Sequence, residues 1–260
     1  MGYRQLKSPL ISIITITLNA EKYLEQTIQS VFNQTYKNIE YIIVDGGSTD
    51  GTLGIIEKYK NAIDRILSEK DEGIADAMNK GISLASGDYI LFLHADDYLH
   101  HDSCLEESIK FLEVTTDILT CRIQFGKDMK IITTKSFNFW TNFKGMAHQG
   151  ILCRRSLIES LHGFDVKFRI CMDYDLLLRA YQNGARLRKA PVVSSVMRDT
   201  GISSRQDWRD LKIRFDEEKR VHYKNCRSLS MKILYNLYWF LYLPYRRVFY
   251  EFNAKRKLLK

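Results

Sequence analysis

The feature that most constrains this chain is an alternation of strand and helix signals through its first hundred residues. Leu10–Thr17 (LISIITIT) is a β-branched run, which reads as a buried strand. After it Leu24, Ile28, Val31 and Phe32 fall at helical spacing on one stripe, with Asn19 placed to cap that helix. The run 39–44 (IEYIIV) predicts a second strand that empties into the polar turn Asp45-Gly46-Gly47-Ser48-Thr49-Asp50-Gly51. A short helix through Ile55, Ile56 and Tyr59 follows, then a strand at 64–68, a helix at 74–85 and a strand at 89–93 (YILFL). Repeated βα units predict an α/β fold, a mostly parallel sheet with helices on both faces. Each polar cluster follows a strand, at the edge where such sheets take ligands.

Past residue 100 the pattern is mixed. Segments 118–123 and 130–134 bracket Gly126-Lys127-Asp128 and predict an antiparallel pair. A helix is expected over 173–183, with Tyr174, Leu177, Leu178 and Tyr181 on one face and Gly184 as its stop. Another strand is expected at 192–197. Two helices follow, from Asp207 to about Tyr223 and from about Leu229 to Tyr250. The composition shift near Gly201–Arg205 places a boundary there, giving a catalytic domain over 1–204 and a helical extension over 205–260.

Charge follows the same division. The 260 residues carry 39 Lys and Arg against 31 Asp and Glu, a formal +8. Residues 205–260 hold 15 of the basic and 6 of the acidic side chains, which leaves 24 and 25 in the first 204. The body is therefore near neutral and the extension carries the whole excess. Five cysteines, an odd number without a CxxC pair, fit reduced thiols in a cytosolic setting. The start MGYRQLKSPL lacks the apolar stretch of a signal peptide, and the longest nearly apolar run, Ile233–Leu243, falls short of the roughly 20 residues that span a bilayer.

Four clusters carry chemistry. Thr17-Leu18-Asn19 and the turn opened by Asp45 can receive a base or ribose; equally, Asn19 can be a cap and the glycine-rich run a solvated turn. A dinucleotide fingerprint is excluded, because TLNAEKYL has no glycine after the first strand. His94-Ala95-Asp96-Asp97 ends the fourth strand. Adjacent carboxylates there invite a hard divalent cation that keeps sites for diphosphate oxygens, although an Asp-rich helix start would look the same. Asp173-Tyr174-Asp175 opens a helix, where a carboxylate is a cap or a general base; His148-Gln149 precedes it.

The order of these clusters resembles family 2 glycosyltransferases of the GT-A fold. SIITITLNAEKYLEQTIQSVFNQTYKNIEYIIVDGGSTDGT, SEKDEGIADAMNKGISLASGDYILFLHADD and HQGILCRRSLIESLHGFDVKFRICMDYDLLLRAYQNGA carry the likeness over about residues 8–200, and they are most similar to bacterial members that build capsule, O-antigen or exopolysaccharide units. The resemblance implies that Thr17, Asn19 and Asp45 hold the nucleotide. It implies that Asp71, Asp76 and Lys80 lie along the pyrophosphate and donor sugar. It also implies that Asp96, with Asp97 beside it, meets Mg²⁺ or Mn²⁺ and the donor, that His148 stands on the acceptor side, and that Asp173 is the catalytic base. The chain departs from the family pattern at four places: Ile16 stands for a frequent Pro, Gly46 for a second Asp, His94 for the first Asp of the metal motif, and Met172 for a Glu. The Q-x-x-R-W motif of processive synthases is absent, which favours single additions.

The implied activity is inverting, metal-dependent transfer from a nucleotide-diphosphate sugar, with a bias to UDP, onto a glycan acceptor such as a polyprenyl-diphosphate-linked one. In the extension, Trp239, Phe240, Tyr242, Tyr245 and Phe249 interleave with Lys232, Arg246, Arg247, Lys255, Arg256 and Lys257. That pattern fits a helix in the interface of the inner membrane, on its cytoplasmic face, through residues 229–260. A helix packed on the body or in a homodimer is the competing reading. Two other functions are weighed. A sugar nucleotidyltransferase would want a Gly-rich basic loop after the first strand. A nucleic-acid-binding protein would want a recognised binding motif, and none is present.

Overall fold

A computed structural model of the chain describes residues 6–133, 136–146, 148–199 and 207–258, with the side chains of 253–258 excepted. The boundary expected near Gly201–Arg205, the end of the strand expected to reach Thr134, and the side chains of Lys255, Arg256 and Lys257 lie outside the described residues. The chain divides into two compact units, Met1–Gly201 and Ile202–Lys260.

In the first unit the elements run β1 (Ile11–Thr17), α1 (Leu24–Phe32), β2 (Ile39–Asp45), α2 (Thr52–Tyr59), β3 (Arg65–Ser68), α3 (Ile74–Leu84), β4 (Tyr89–Phe92), β5 (Tyr98–Leu99) and α4 (Cys104–Ile109). They continue with β6 (Ile118–Phe125), β7 (Lys130–Ile132), β8 (Ile151–Arg154), α5 (Arg155–Ser160), α6 (Met172–Gln182) and β9 (Leu187–Met197). The strands form one sheet in the order β3-β2-β1-β4-β8-β6-β9-β5, with β7 on β6. From β3 to β4 all pairings are parallel, as the βα alternation requires. The sheet as a whole is mixed, because β8 pairs antiparallel with both β4 and β6, and β5 antiparallel with β9. Among the described residues between β7 and β8 there is only the short 3-10 helix Phe139–Asn142 and no α-helical crossover of the kind that joins parallel strands.

Helices cover both faces. Ile11, Ile13, Tyr41, Ile43, Tyr89 and Leu91 share one buried cluster with Leu24, Ile28 and Val31 of α1 and with Cys104 and Leu105 of α4. On the other face α3 lies so close to β1 that a Cβ on Gly81 would stand 2.4 Å from Cγ2 of Ile14. Asn19 does not cap α1. The helix starts five residues later, at Leu24, and Asn19 turns away with φ 51°, a left-handed conformation that asparagine tolerates. Likewise α6 is not a one-sided amphipath: Met172, Asp175, Leu176 and Ala180 are buried together with Tyr174, Leu177 and Leu178. Four cysteines, Cys104, Cys121, Cys153 and Cys171, are buried and Cys226 is partly exposed; all five are free thiols. Burial raises the thiols of Cys104 and Cys121 to about 11 and that of Cys153 to about 12.

The second unit contains α7 (Trp208–Lys224), capped by the Asp207 carboxylate, and α8 (Leu229–Leu258). Tyr235 and Trp239 are buried between them; Tyr235 stacks on the fully buried His222, Trp239 meets it tilted, and the Trp239 Nε1–H donates to His222 Nδ1 at 2.9 Å. Tyr242 leans on Phe215 at 5.7 Å. These two aromatics, Trp239 and Tyr242, therefore serve the α7–α8 contact, not the outer face expected from the sequence. The outer side of α8 is instead Leu229, Ile233, Leu237, Phe240, Leu241, Tyr245, Val248 and Phe252, all exposed. No helix among the described residues is long and apolar enough to cross a membrane.

Candidate active site

The carboxyl ends of β1, β2, β3 and β4 meet along one edge. Thr17 pairs in register with Asp45, Asp45 with Ser68, and the chain leaving β4 stays beside β1 through the bonds Leu93 N–H to Ile14 O (3.0 Å) and Ala95 N–H to Ile16 O (3.3 Å). Parallel strands leave their ends unpaired on one side, so their loops converge there.

The loops after β1 and β2 are tied together. Asn19 N–H donates to Ser48 Oγ at 2.8 Å and Thr49 N–H to Asn19 Oδ1 at 2.9 Å. Ala20 N–H reaches Thr52 Oγ1, Glu21 N–H reaches Asp50 Oδ2, and Gly51 N–H reaches Glu21 Oε2. Asp45 is fully buried beneath this platform, and its carboxylate accepts from Gly47 N–H, Ser48 N–H, Ser48 Oγ and Ser68 Oγ. Its visible work is to hold the turn. Thr17 differs: among the described residues its hydroxyl is buried and finds no hydrogen-bond partner. A buried polar atom left open at a strand end is what a ligand-binding edge presents.

Asp71 accepts from Gly73 N–H, and its carboxylate fills the space a side chain on Gly46 would occupy, 2.2 Å from an ideal Cβ. This explains locally why Gly46 replaces the second acid of the turn. Asp76 accepts from Glu72 N–H, which with the Lys80 ammonium holds its carboxyl below the ordinary range. Lys80 bridges Glu69 (2.9 Å) and Asp76 (3.2 Å), Glu69 contributing most to the rise in its pKa. Glu69, Asp76 and Lys80 thus form one local network on α3, and Asp71 holds the turn that leads into the same helix.

After β4, Asp97 is 2% exposed and accepts from Arg198 N–H at 3.0 Å. Burial first, and the Asp96 charge second, push its carboxyl up to about 8. Arg198 donates to Asp96 O and Gln26 Oε1, and lies over the rings of Tyr23 and Tyr98. Nothing in the sequence around Arg198 singles it out; only the return of β9 beside β5 brings it here. Among the described residues no three His, Cys, Asp or Glu side chains are grouped to cage a metal. The acidic pair fits a hard cation in another way: one or two carboxylates suffice for Mg²⁺ or Mn²⁺ when diphosphate oxygens and water complete the shell. Asp96 and Asp97 would hold such an ion.

Asp173 occupies the first turn of α6, with its side chain 22% exposed. Its Oδ1 accepts from Tyr174 N–H at 2.7 Å and its Oδ2 meets His148 Nδ1 at 3.1 Å. His148 Nε2 lies 2.7 Å from His94 Nε2. The structure therefore joins the strand-end cluster of His94 to the Asp173 cluster through His148. Burial, then the nearby His148, lowers the His94 pKa to about 3, so its ring is neutral. Asp175 plays no part at this site: it is fully buried and pairs with Arg179, which donates to the carbonyls of Leu161 and Gly163.

Nucleotide-sugar transferases of the GT-A class share this architecture, a mixed sheet with an acidic pair at the end of one parallel strand. The model of Glycosyl transferase family 2 matches residues 12–173, and the chain belongs to that family. A PGL/p-HBAD biosynthesis glycosyltransferase of Mycobacterium bovis is 30% identical over 214 residues, covering 76% of this chain and 81% of its own. An uncharacterized glycosyltransferase of Haemophilus influenzae is 37% identical over 174 residues, covering 62% and 69%. Among solved structures, S. aureus TarS 1–349 superposes with a TM-score of 0.66 at 21% identity over 83% of this chain and 64% of that one; TarS 1–349 has also been solved with UDP-GlcNAc. The mannosyltransferase PcManGT from Pyrobaculum calidifontis, in complex with GDP-Man and Mn²⁺, superposes with a TM-score of 0.62 at 17% identity over 99% and 89%. The GT-A-like fold expected from the sequence is thus borne out.

Proposed function

We propose that this chain moves a sugar from a nucleotide-diphosphate sugar, with UDP the first candidate base, to a hydroxyl of a glycan acceptor, one residue at a time and with inversion. The observation that carries this reading is the hydrogen-bond path from Asp173 through His148 to His94, which puts a carboxylate at the start of α6 in the same site as the acidic pair after β4. On this reading Thr17, Asn19 and Asp45 present the nucleotide platform, and Asp71, Asp76 and Lys80 flank the diphosphate and donor sugar. Asp173 takes the proton of the acceptor hydroxyl as that oxygen attacks the anomeric carbon from the face opposite the diphosphate. The bond to the diphosphate oxygen breaks in the same step, the nucleoside diphosphate leaves, and no covalent intermediate forms. Mg²⁺ or Mn²⁺, held at Asp96 and Asp97, would offset the charge of the departing diphosphate.

The 205–260 extension is proposed as a membrane-docking module, at the cytoplasmic face where a lipid-linked acceptor would be found. Its support is the exposed apolar side of α8 together with a net excess of basic residues in the same unit, a combination complementary to anionic lipid. A thermal-shift panel of UDP-, GDP- and dTDP-sugars with and without Mn²⁺ tests the donor reading. A stabilisation that requires both a nucleotide sugar and the ion supports it; no response to any member overturns it.

A further inference from the structure

We infer that His148 is the positioning residue of Asp173, and that His94 stands in the strand-end motif to hold His148 in the tautomer this requires. The inference rests on the reading of Asp173 as the base. A carboxylate only accepts, so the hydrogen shared with Asp173 Oδ2 belongs to His148 Nδ1. With its proton on Nδ1, His148 can accept at Nε2 the Nε2–H of His94, the two nitrogens lying 2.7 Å apart and the rings crossing at 74°. Both Asp173 oxygens are thereby fixed, Oδ1 by Tyr174 N–H and Oδ2 by His148, and each oxygen keeps a further lone pair that can accept a proton.

The backbone around each residue is built to keep this chain in place. His94 is pinned between the two bonds that lace residues 93–95 to β1. The described residues on either side of His148 are held at three points. A Cβ on Gly145 would lie 3.0 Å from Tyr174 Cβ, so the loop rests on the first turn of α6. Ser195 Oγ donates to Gln149 O, and Cys121 N–H donates to Gly150 O at 2.7 Å. A Cβ on Gly150 would come within 2.8 Å of Cys121 O, so only glycine allows this approach.

The inference also accounts for the departure at His94. A carboxylate at that position would draw the proton of His148 to Nε2 and turn a lone pair toward Asp173, or make His148 an imidazolium bridging two carboxylates. Either state weakens Asp173 as a base. Restoring the family's acid by His94→Asp should therefore slow the enzyme more than His94→Gln, which keeps an N–H donor near the Nε2 position.

The test reads tautomers directly, by long-range ¹H–¹⁵N correlation on the full-length chain with ¹⁵N-labelled histidine, assigned through His148→Asn and His94→Gln. His148 is expected with its proton on Nδ1 and His94 with its proton on Nε2; in Asp173→Ala the His148 signal should shift to a mixture. His148 protonated on Nε2 alone, or unmoved by Asp173→Ala, overturns the inference. Turnover of the donor that gives the largest thermal shift supplies a second reading. His148→Asn, which keeps the δ-position N–H, should retain at least about ten times the kcat of His148→Gln, at a donor KM within about twofold of the parent. Equal kcat in the two overturns it. Full activity of Asp173→Asn would instead sink the base reading and leave the tautomer result standing.

Discussion

Asn79 and Phe164 share two hydrogen bonds across 85 residues of sequence: Asn79 Nδ2–H donates to Phe164 O at 2.9 Å, and Phe164 N–H donates to Asn79 Oδ1 at 2.8 Å. One side chain of α3 thus closes the turn that leads to α6, where Gly163 adopts φ 67°. Replacing Asn79 by Ala strands two backbone groups in a half-buried place. The expected loss is about 1–3 kcal/mol, read as a lower urea midpoint at unchanged slope.

Gly81→Ala tests the closeness of α3 to β1. Helix propensity alone would favour alanine by up to about 1 kcal/mol, but the new methyl meets Ile14 at a distance no real contact allows. Overpacking by about 1–3 kcal/mol should win, lowering the melting temperature. Because Asp76 and Lys80 ride on α3, donor-induced thermal stabilisation should fall as well.

Glu40 offers a pH test away from the site. It is 7% exposed, and burial would raise its carboxyl, yet bonds from Ser12 Oγ, Ser86 N–H and Oγ, and Arg65 Nε outweigh this and lower it below 4.5. A depressed folded pKa means the unfolded chain binds more protons near pH 4, so this stabilisation is full above the unfolded value and is lost as pH falls through the folded one. Glu40→Gln should cost about 2 kcal/mol or more at pH 7. The gap between variant and parent should narrow steadily below pH 4.5 in chemical denaturation.

The outer side of α8 predicts a separable defect. Leu237→Ser with Phe240→Ser removes two exposed apolar groups without touching Tyr235 or Trp239. Flotation with vesicles containing phosphatidylserine should fall at least tenfold while melting temperature is unchanged. Undiminished flotation would count against lipid as the occupant, and a shift from dimer to monomer in sedimentation would point to a second copy.

Much of this was legible in the sequence, for identifiable reasons. β1, β2 and β4 are β-branched or aromatic runs ended by polar turns, and local pattern suffices to find them. The halves of the site also announce themselves, because Asp45, Asp96 and Asp173 each stand at an element's end. What links them does not. The contact of His148 with His94 spans 54 residues and depends on β8 sitting beside β4, a pairing no local period encodes. Arg198 reaches the acidic pair across 101 residues for the same kind of reason. On α8, apolar residues occur nearly all round, so only the packing of Tyr235 and Trp239 against His222 distinguishes inner from outer side.

The cysteine distribution has a practical consequence. Four thiols are sealed in the first unit, three of them with ionisation pushed far into alkaline range, whereas Cys226 sits at the corner between α7 and α8 with its Sγ near Ser228 O. Near-neutral maleimide chemistry should therefore tag the natural sequence at a single position. A fluorophore attached there needs no engineered background, and it would stand at the base of the helix whose surroundings are in question.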